Sequence, residues 1–252
     1  MMRLLGWNGG VLVFYTVPHK LNAVKGIICD MVQKKPQPAK AASSAPKKRG
    51  RPRAFEPDVA LGKAMDTFRD GGFAATSLDD LSEAMGINRP SLYGTFGDKR
   101  ELFLKAYERY RAEMAEKFAP AFAPGLTLRQ MLERIYATAL DVYLAGENGP
   151  RGCFTVMTAT SEAMADPEIR PLVQRALGST QRTLAKRFQA AIETGELPPT
   201  ANVQILSQIA ASIVEALAIR SRARVPRTEL EAIAKGTVDL ICGPSPAATK
   251  VS

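Results

Sequence analysis

Two stretches of this chain have residue types and spacing suited to gripping a polyanion. The first is Arg49-Gly50-Arg51-Pro52-Arg53. An extended Gly-Arg-Pro core flanked by arginines suits a narrow, strongly negative minor groove. The second runs from Asn88 to Lys99. There Asn88, Arg89, Pro90, Ser91, Tyr93, Gly94 and Thr95 fall on the outward side of a short helical pattern whose inward side is Leu92 and Phe96. The planar fork of Arg89 matches O6 and N7 of guanine, and equally suits a phosphate. Pro90 fits a first helical turn and could pack on a thymine methyl. Upstream, Thr76 and Ser77 open a helix, where free N–H groups and the macrodipole favour phosphate. Ser77 is mainly a cap. Lys99 stands in a first turn, a poor place for a cation unless an anion faces it.

Charge agrees with this chemistry. The chain has 252 residues, 46% hydrophobic and 23% charged, with a net charge of +9. Residues 31–53 carry Lys34, Lys35, Lys40, Lys47, Lys48, Arg49, Arg51 and Arg53 and no acid, which is eight of the nine. A basic arm on a nearly neutral body points to nucleic acid or an anionic membrane, or else to a solubilising tail. Cys29, Cys153 and Cys242 are odd in number and far apart, and His19 stands alone. Neither a disulfide framework nor a metal site is expected, and a reduced, cytoplasmic chain fits best. No cofactor is expected. There is no Gly-rich phosphate loop, no G-x-S-x-G and no paired-carboxylate segment, so an enzyme is not expected.

The elements that must position these residues are helical. Residues 1–52 read as a disordered basic extension, of which 1–30 could be an over-called start with Met31 the initiator. From Asp58 the periodicity becomes that of amphipathic helices, and no strand is expected. Helices are expected from Asp58 to Arg69, ended by Gly71-Gly72; from Ser77 to Met85, with Ser77 and Asp80 as an acidic capping box and Gly86 as the turn; and from Asn88 to Phe96. Asp98, with Glu101, caps a long fourth helix. Three short helices with a tight Gly turn between the second and third are the geometry of a helix-turn-helix. Residues 53–99 are read as that domain.

The stretch Arg49 to Tyr110 resembles the DNA-binding domain of the tetracycline-repressor (TetR) family. The residues that carry the resemblance are Phe73 to Leu81 (FAATSLDDL), Met85 to Ile87 (MGI), Ser91 to Lys99 (SLYGTFGDK) and Glu101-Leu102-Phe103. The resemblance implies a nine-helix, all-α subunit, two-fold dimers, palindromic double-stranded operators and release from DNA by a small-molecule effector, with repression more usual than activation. It implies that Tyr93 and Lys99 contact phosphates. The arm around Arg49, Arg51 and Arg53 resembles an AT-hook, placed to reach the minor groove beside the major-groove helix. Two other readings remain: an architectural AT-hook-like protein without ligand response, and an arm that binds anionic membrane.

Residues 100–242 are read as a ligand-binding and dimerisation domain, and 243–252 as a disordered tail. Helices are expected over Leu126–Ala145, Arg151–Met164, Glu168–Thr194, Ala201–Arg222 and Arg227–Ile241. The apolar arc of Ala201–Arg222 is wider than one core stripe needs, which suits half of an intersubunit four-helix bundle or, alternatively, full burial in its own subunit. Tyr107, Tyr110, Tyr136, Tyr143, Phe154, Met157, Thr158 and Met164 are candidates to line an effector pocket, although aromatic and Met residues at such spacing are commonly plain packing. Cys153 follows Gly152 and Arg151 at a helix start, where a thiol pKa would fall. It is a possible redox or electrophile sensor, or an inert packed thiol.

Overall fold

The computed structural model describes residues 6–8, 11–13, 55–146 and 149–244. Arg49, Arg51 and Arg53, and nearly all of the expected extension and tail, lie outside the described residues. The chain divides into two units, 1–37 and 38–252. In the first, β1 (Gly6–Asn8) pairs antiparallel with β2 (Val11–Val13), Trp7 opposite Leu12. This small ribbon is an addition to the expected helices.

The second unit is all-α among the described residues. Its helices are α1 (Pro57–Ala75), α2 (Leu78–Met85), α3 (Arg89–Phe96), α4 (Lys99–Phe118), α5 (Leu128–Leu144), α6 (Phe154–Ala165), α7 (Ile169–Glu193), α8 (Val203–Arg222) and α9 (Arg227–Cys242). A 3-10 turn, Ala119–Phe122, follows α4. Local chemistry sets most of these boundaries. Ser77 Oγ accepts from Asp80 N–H (3.0 Å) while Asp80 Oδ2 accepts from Ser77 N–H (2.7 Å), a complete capping box. Asn88 Oδ1 accepts from Ser91 N–H (2.9 Å), and Asp98 and Glu101 cap each other's N–H groups. Gly86 ends α2 at φ +67, a left-handed value that any side chain would strain. Gly86 N–H reaches Glu83 O and Ile87 N–H reaches Ser82 O, each at 3.1 Å, which is the Schellman stop. Ile87 is buried under it.

Most helix ends fall within two residues of the sequence expectation, and two boundaries depart further. α1 does not end at Arg69. Gly72 breaks it (φ 80, ψ 173), and one further turn carries it to Ala75. Around the break, Arg222 of α8 donates to the carbonyls of Arg69 (3.2 Å) and Asp70 (3.0 Å). α6 begins at Phe154, not Arg151, because Gly152 is left-handed (φ +65) and donates its N–H to Tyr143 O (3.0 Å). A Cβ on Gly152 would lie 3.0 Å from Ala218 O, so the close approach of α8 also demands glycine.

One core runs through the unit. Phe68 of α1, Leu81 of α2, Leu92 and Phe96 of α3, and Leu102 and Phe103 of α4 are all buried. Each side chain removed from water this way contributes roughly 1.5–3 kcal/mol. α4 is long enough to continue with Ala106, Tyr107, Tyr110 and Met114 into the second half of the core. There α8 packs against α5, α7 and α9.

Candidate nucleic-acid interface

α3 is a short helix clamped by two side chains and open on its other side. Leu92 and Phe96 are buried against the core, while Asn88, Arg89, Pro90, Tyr93 and Gly94 are exposed and Ser91 and Thr95 half-exposed. Tyr93 is 47% exposed, a large value for an aromatic ring held on a rigid helix. The helix is fixed at both ends. Asn88 caps its start, and Lys105 Nζ of α4 donates to Phe96 O (2.7 Å) at its finish. Lys105 was not singled out in the sequence, although the unpaired carbonyls at a helix C-terminus call for such a donor.

Arg89 folds back on α2. Its Nε lies 2.9 Å from Asp79 Oδ1 and its Nη2 2.6 Å from Asp79 Oδ2, a bidentate pair in open solvent. Lys99 sits half-exposed with Nζ 4.5 Å from the centre of the Phe73 ring. That contact is a cation–π interaction and positions the ammonium at the mouth of the α1–α2 turn. Ser77 is exposed beside it. Thr76 requires a correction. Its side chain is buried and its hydroxyl donates inward to Gly72 O (2.6 Å), because the carbonyl at the α1 break needs a donor. The structure therefore brings Ser77, Asn88, Arg89, Pro90, Ser91, Tyr93, Thr95 and Lys99 to one exposed region and removes the Thr76 side chain from it.

α4 connects this region to the rest. Arg100 is bidentate to Asp166 (2.8 and 3.2 Å) and reaches Glu168 (2.8 Å), tying the start of α4 to the α6–α7 turn. The Arg100 guanidinium, aided by the N–H groups of Glu168 and Ile169, holds the Asp166 carboxyl down at about 2 against an ordinary 3.8. The depressed value means that this carboxylate supports the fold above pH 4, and that the support is lost as the pH falls through about 2. Asp166→Asn should melt at a lower temperature than the parent at pH 6, and the gap should narrow steadily below pH 4. A constant gap across a pH series of thermal melts would contradict the assignment.

The candidate pocket residues form a packed group. Phe154 makes edge-to-face contacts with Phe103 (5.4 Å), Tyr107 (5.6 Å) and Tyr110 (5.6 Å). Tyr107 hydroxyl donates to Thr155 Oγ1 (3.2 Å) and Tyr136 hydroxyl to Ala210 O (3.3 Å). Thr158 is buried and gives its hydroxyl to Phe154 O, and Met157 is half-buried. Burial pushes the phenols of Tyr110 and Tyr143 well up, so both keep their protons. Met164 is a correction: it is 80% exposed at the end of α6, on the helix face turned from the core. Cys153 is half-buried and accepts from Tyr110 hydroxyl (Sγ, 3.4 Å). The neighbouring Arg151 is turned from it, onto Asp66 and Asp70.

Residues 60–106 match the family model described as bacterial regulatory proteins, tetR family, and residues 129–236 match the tetracyclin repressor-like C-terminal domain. The HTH-type transcriptional repressor ComR of Escherichia coli K12 is 31% identical over 195 residues, which are 77% of this chain and 92% of ComR. The chain belongs to the tetR family of bacterial regulatory proteins. As a tetR-family member it is a helix-turn-helix DNA-binding transcriptional regulator, and its relatives are regulators, not enzymes. A further curated relative is the repressor BdcR of E. coli K12, 30% identical over 135 residues, 54% of this chain and 66% of BdcR. Among solved structures, a cysteine mutant of the TetR family regulator CifR complexed with 26 bp double-strand operator DNA superposes with TM-score 0.66. It is 30% identical, covering 75% of this chain and 98% of that one. The tetR assignment makes α2 and α3 the helix-turn-helix pair, joined by the Gly86 turn.

Proposed function

We propose that this regulator is a repressor that holds a palindromic operator as a homodimer, with α3 of each copy in a major groove, and lets go when a small molecule binds. The observation that carries the reading is α3 itself: a helix anchored by Leu92, Phe96, Asn88 and Lys105, with Arg89, Pro90, Tyr93 and Gly94 exposed on its other side. In this arrangement Arg89 leaves Asp79 for a guanine or a phosphate. Tyr93, Ser77 and Lys99 hold the flanking phosphates, and the arm with Arg49, Arg51 and Arg53 follows the minor groove. We divide the molecule at residues 53–99 for DNA binding and 100–242 for regulation and pairing, and place its work in the cytoplasm, on chromosomal DNA. The names of ComR, a repressor, and of CifR, solved on operator DNA, support the reading.

Pairing is supported by an apolar stripe on α8 and α9. Ile205, Ile209 and Ile219 are exposed along α8, and Leu240 along α9 beside the small residues Ala232 and Gly236. By length and composition α8 would also suffice to cross a membrane. Its opposite side, with Ser207, Ala210, Ala211, Leu217, Ala218 and Ser221 buried against its own subunit, suits a helix that pairs in water.

The test is selection of operator sequence from random duplexes, followed by binding of Arg89→Ala to the selected site. A guanine contact predicts a loss of about tenfold to a hundredfold with relaxed preference at one base pair of each half-site. A phosphate contact predicts a uniform loss across sequences and a salt slope shallower by about one per half-site. Arg89→Ala with parental affinity and slope would remove α3 from the interface.

A further inference from the structure

Where α1, α4 and α5 diverge they leave a cleft of about 640 Å³, whose walls include Met65, Arg69, Lys117, Thr138 and Val142. Three carboxylates also line it, Asp66, Glu113 and Asp141, each already paired with an arginine (Arg151, Arg109 and Arg227). Its charges are unevenly matched. Arg109 is paired with Asp58 (2.6 Å) and Glu113 (2.9 Å). Arg69 is not paired: among the described residues no carboxylate reaches it. It is 8% exposed, its Nη2 donates weakly to Gly152 O (3.3 Å), its guanidinium lies 5.2 Å from the centre of the Tyr110 ring, and its Nε has no partner. A buried cation without an anion is an expensive arrangement, and an oxyanion is what corrects it. Met65 and Val142 give the same cleft an apolar wall.

The cleft also lies on the joint between the two halves of the subunit. Arg69 and Asp70 belong to α1, within the DNA-reading half. Arg151, from the segment before α6, bonds Asp66 (2.8 Å) and Asp70 (2.9 Å) on α1, and Arg222 of α8 bonds the carbonyls of Arg69, Asp70 and Arg151. Whatever fills the cleft presses on α1 from one side and α5 from the other, and competes with Asp66 and Asp70 for nearby guanidinium groups.

We propose that this cleft is a binding site for a small organic carboxylate, held by Arg69 with its apolar part against Met65 and Val142, and that its occupation loosens the hold on operator DNA. The regulatory part rests on the reading above, that the protein grips an operator. The binding part does not. The site adjoins the packed aromatic group around Phe154 through the Arg69–Tyr110 contact, but Phe154, Tyr107 and Tyr110 do not line it.

The test uses the full chain with nitrogen-15 in its arginines. Benzoate, succinate and inorganic phosphate each replace chloride at constant ionic strength. Benzoate should shift one arginine Nε–H resonance saturably, the one missing from Arg69→Met, and should bind more tightly than phosphate. Thr138→Trp, which fills the cleft from α5 and leaves Arg69 in place, should abolish the shift while keeping the parental melting temperature. Should Arg69→Met fail to fold, Thr138→Trp alone decides. In parallel, saturating benzoate should weaken operator binding at least fivefold in the parent and not in Thr138→Trp. No saturable shift with any probe, or the same shift in Thr138→Trp, overturns the site. Tighter phosphate binding overturns the assignment to carboxylates. A shift with unchanged operator affinity overturns the regulatory role. A protein that ignores every duplex refutes the operator reading but leaves the resonance experiment able to decide the site.

Discussion

On the proposed pairing through α8, Ile209→Glu should separate the two subunits and remove most of the affinity for operator. Ile209 is exposed on α8, one turn along the stripe that runs from Ile205 to Ile219. In a lone subunit Ile209 is 38% exposed, so a glutamate there can turn its carboxylate to water and the fold of each subunit should survive. In a paired molecule two carboxylates would be driven into an apolar, water-free contact, once from each copy. Burying an unpaired charge costs several kcal/mol per group, enough to dissociate an interface of ordinary size. The consequence for DNA follows from linkage. When two readers are joined, the second binds at an effective concentration set by the joint, which commonly gains a factor of 10² to 10⁴. Loss of pairing should therefore weaken operator binding about a hundredfold or more. Sedimentation should show a monomer at micromolar concentration, and circular dichroism should show parental helicity. A variant that remains dimeric would place the subunit contact elsewhere than α8.

The second large effect is expected at Phe103. Its ring is buried and makes edge-to-face contacts with Phe68 (5.1 Å), Phe73 (5.1 Å) and Phe154 (5.4 Å). These partners come from α1 on one side and α6 on the other, so Phe103 is where the DNA-reading core and the regulatory core become continuous. Phe103→Ala should cost about 3–5 kcal/mol, the range for a large aromatic truncated in a well-packed site. Against a total of about 5–15 kcal/mol this is severe. Urea unfolding should show a midpoint sharply lowered with little change in slope. Tyr107 and Tyr110 touch Phe154 on the same side but keep their own burial, so the helices should survive while their packing loosens. A loss below 1 kcal/mol would mean that the two cores are not joined through this ring.

How much of this was legible in the chain depends on how far apart the interacting residues are. The caps at Ser77, Asn88 and Asp98 act over three residues, and each appears where its spacing placed it. The Gly86 turn acts over five and was equally plain. The outward side of α3 followed from Leu92 and Phe96 alone. What stayed hidden acts over long separations. Arg100 finds Asp166 66 residues away, Arg69 finds Gly152 83 away and Arg222 finds Arg69 153 away. No local pattern marks such pairs, and each looks like an ordinary surface arginine in the sequence. The misplaced ends of α1 and α6 have the same origin. A helix that would stop or start by its own propensity is extended or delayed by a partner from another part of the chain. The candidate pocket failed at Met164 for a related reason: periodicity put it with the aromatic residues, but α6 ends there and turns it outward.

The Asp79–Arg89 pair gives the unbound reader a built-in decoy. A carboxylate already occupies the guanidinium in the free chain, so under the proposed reading any duplex displaces an exposed, solvent-screened internal partner as it gains the Arg89 contact. Arg89 then changes partner on binding, and a base edge with two acceptors replaces both bonds to Asp79 where a single phosphate oxygen replaces one, so the exchange itself would favour the chosen site.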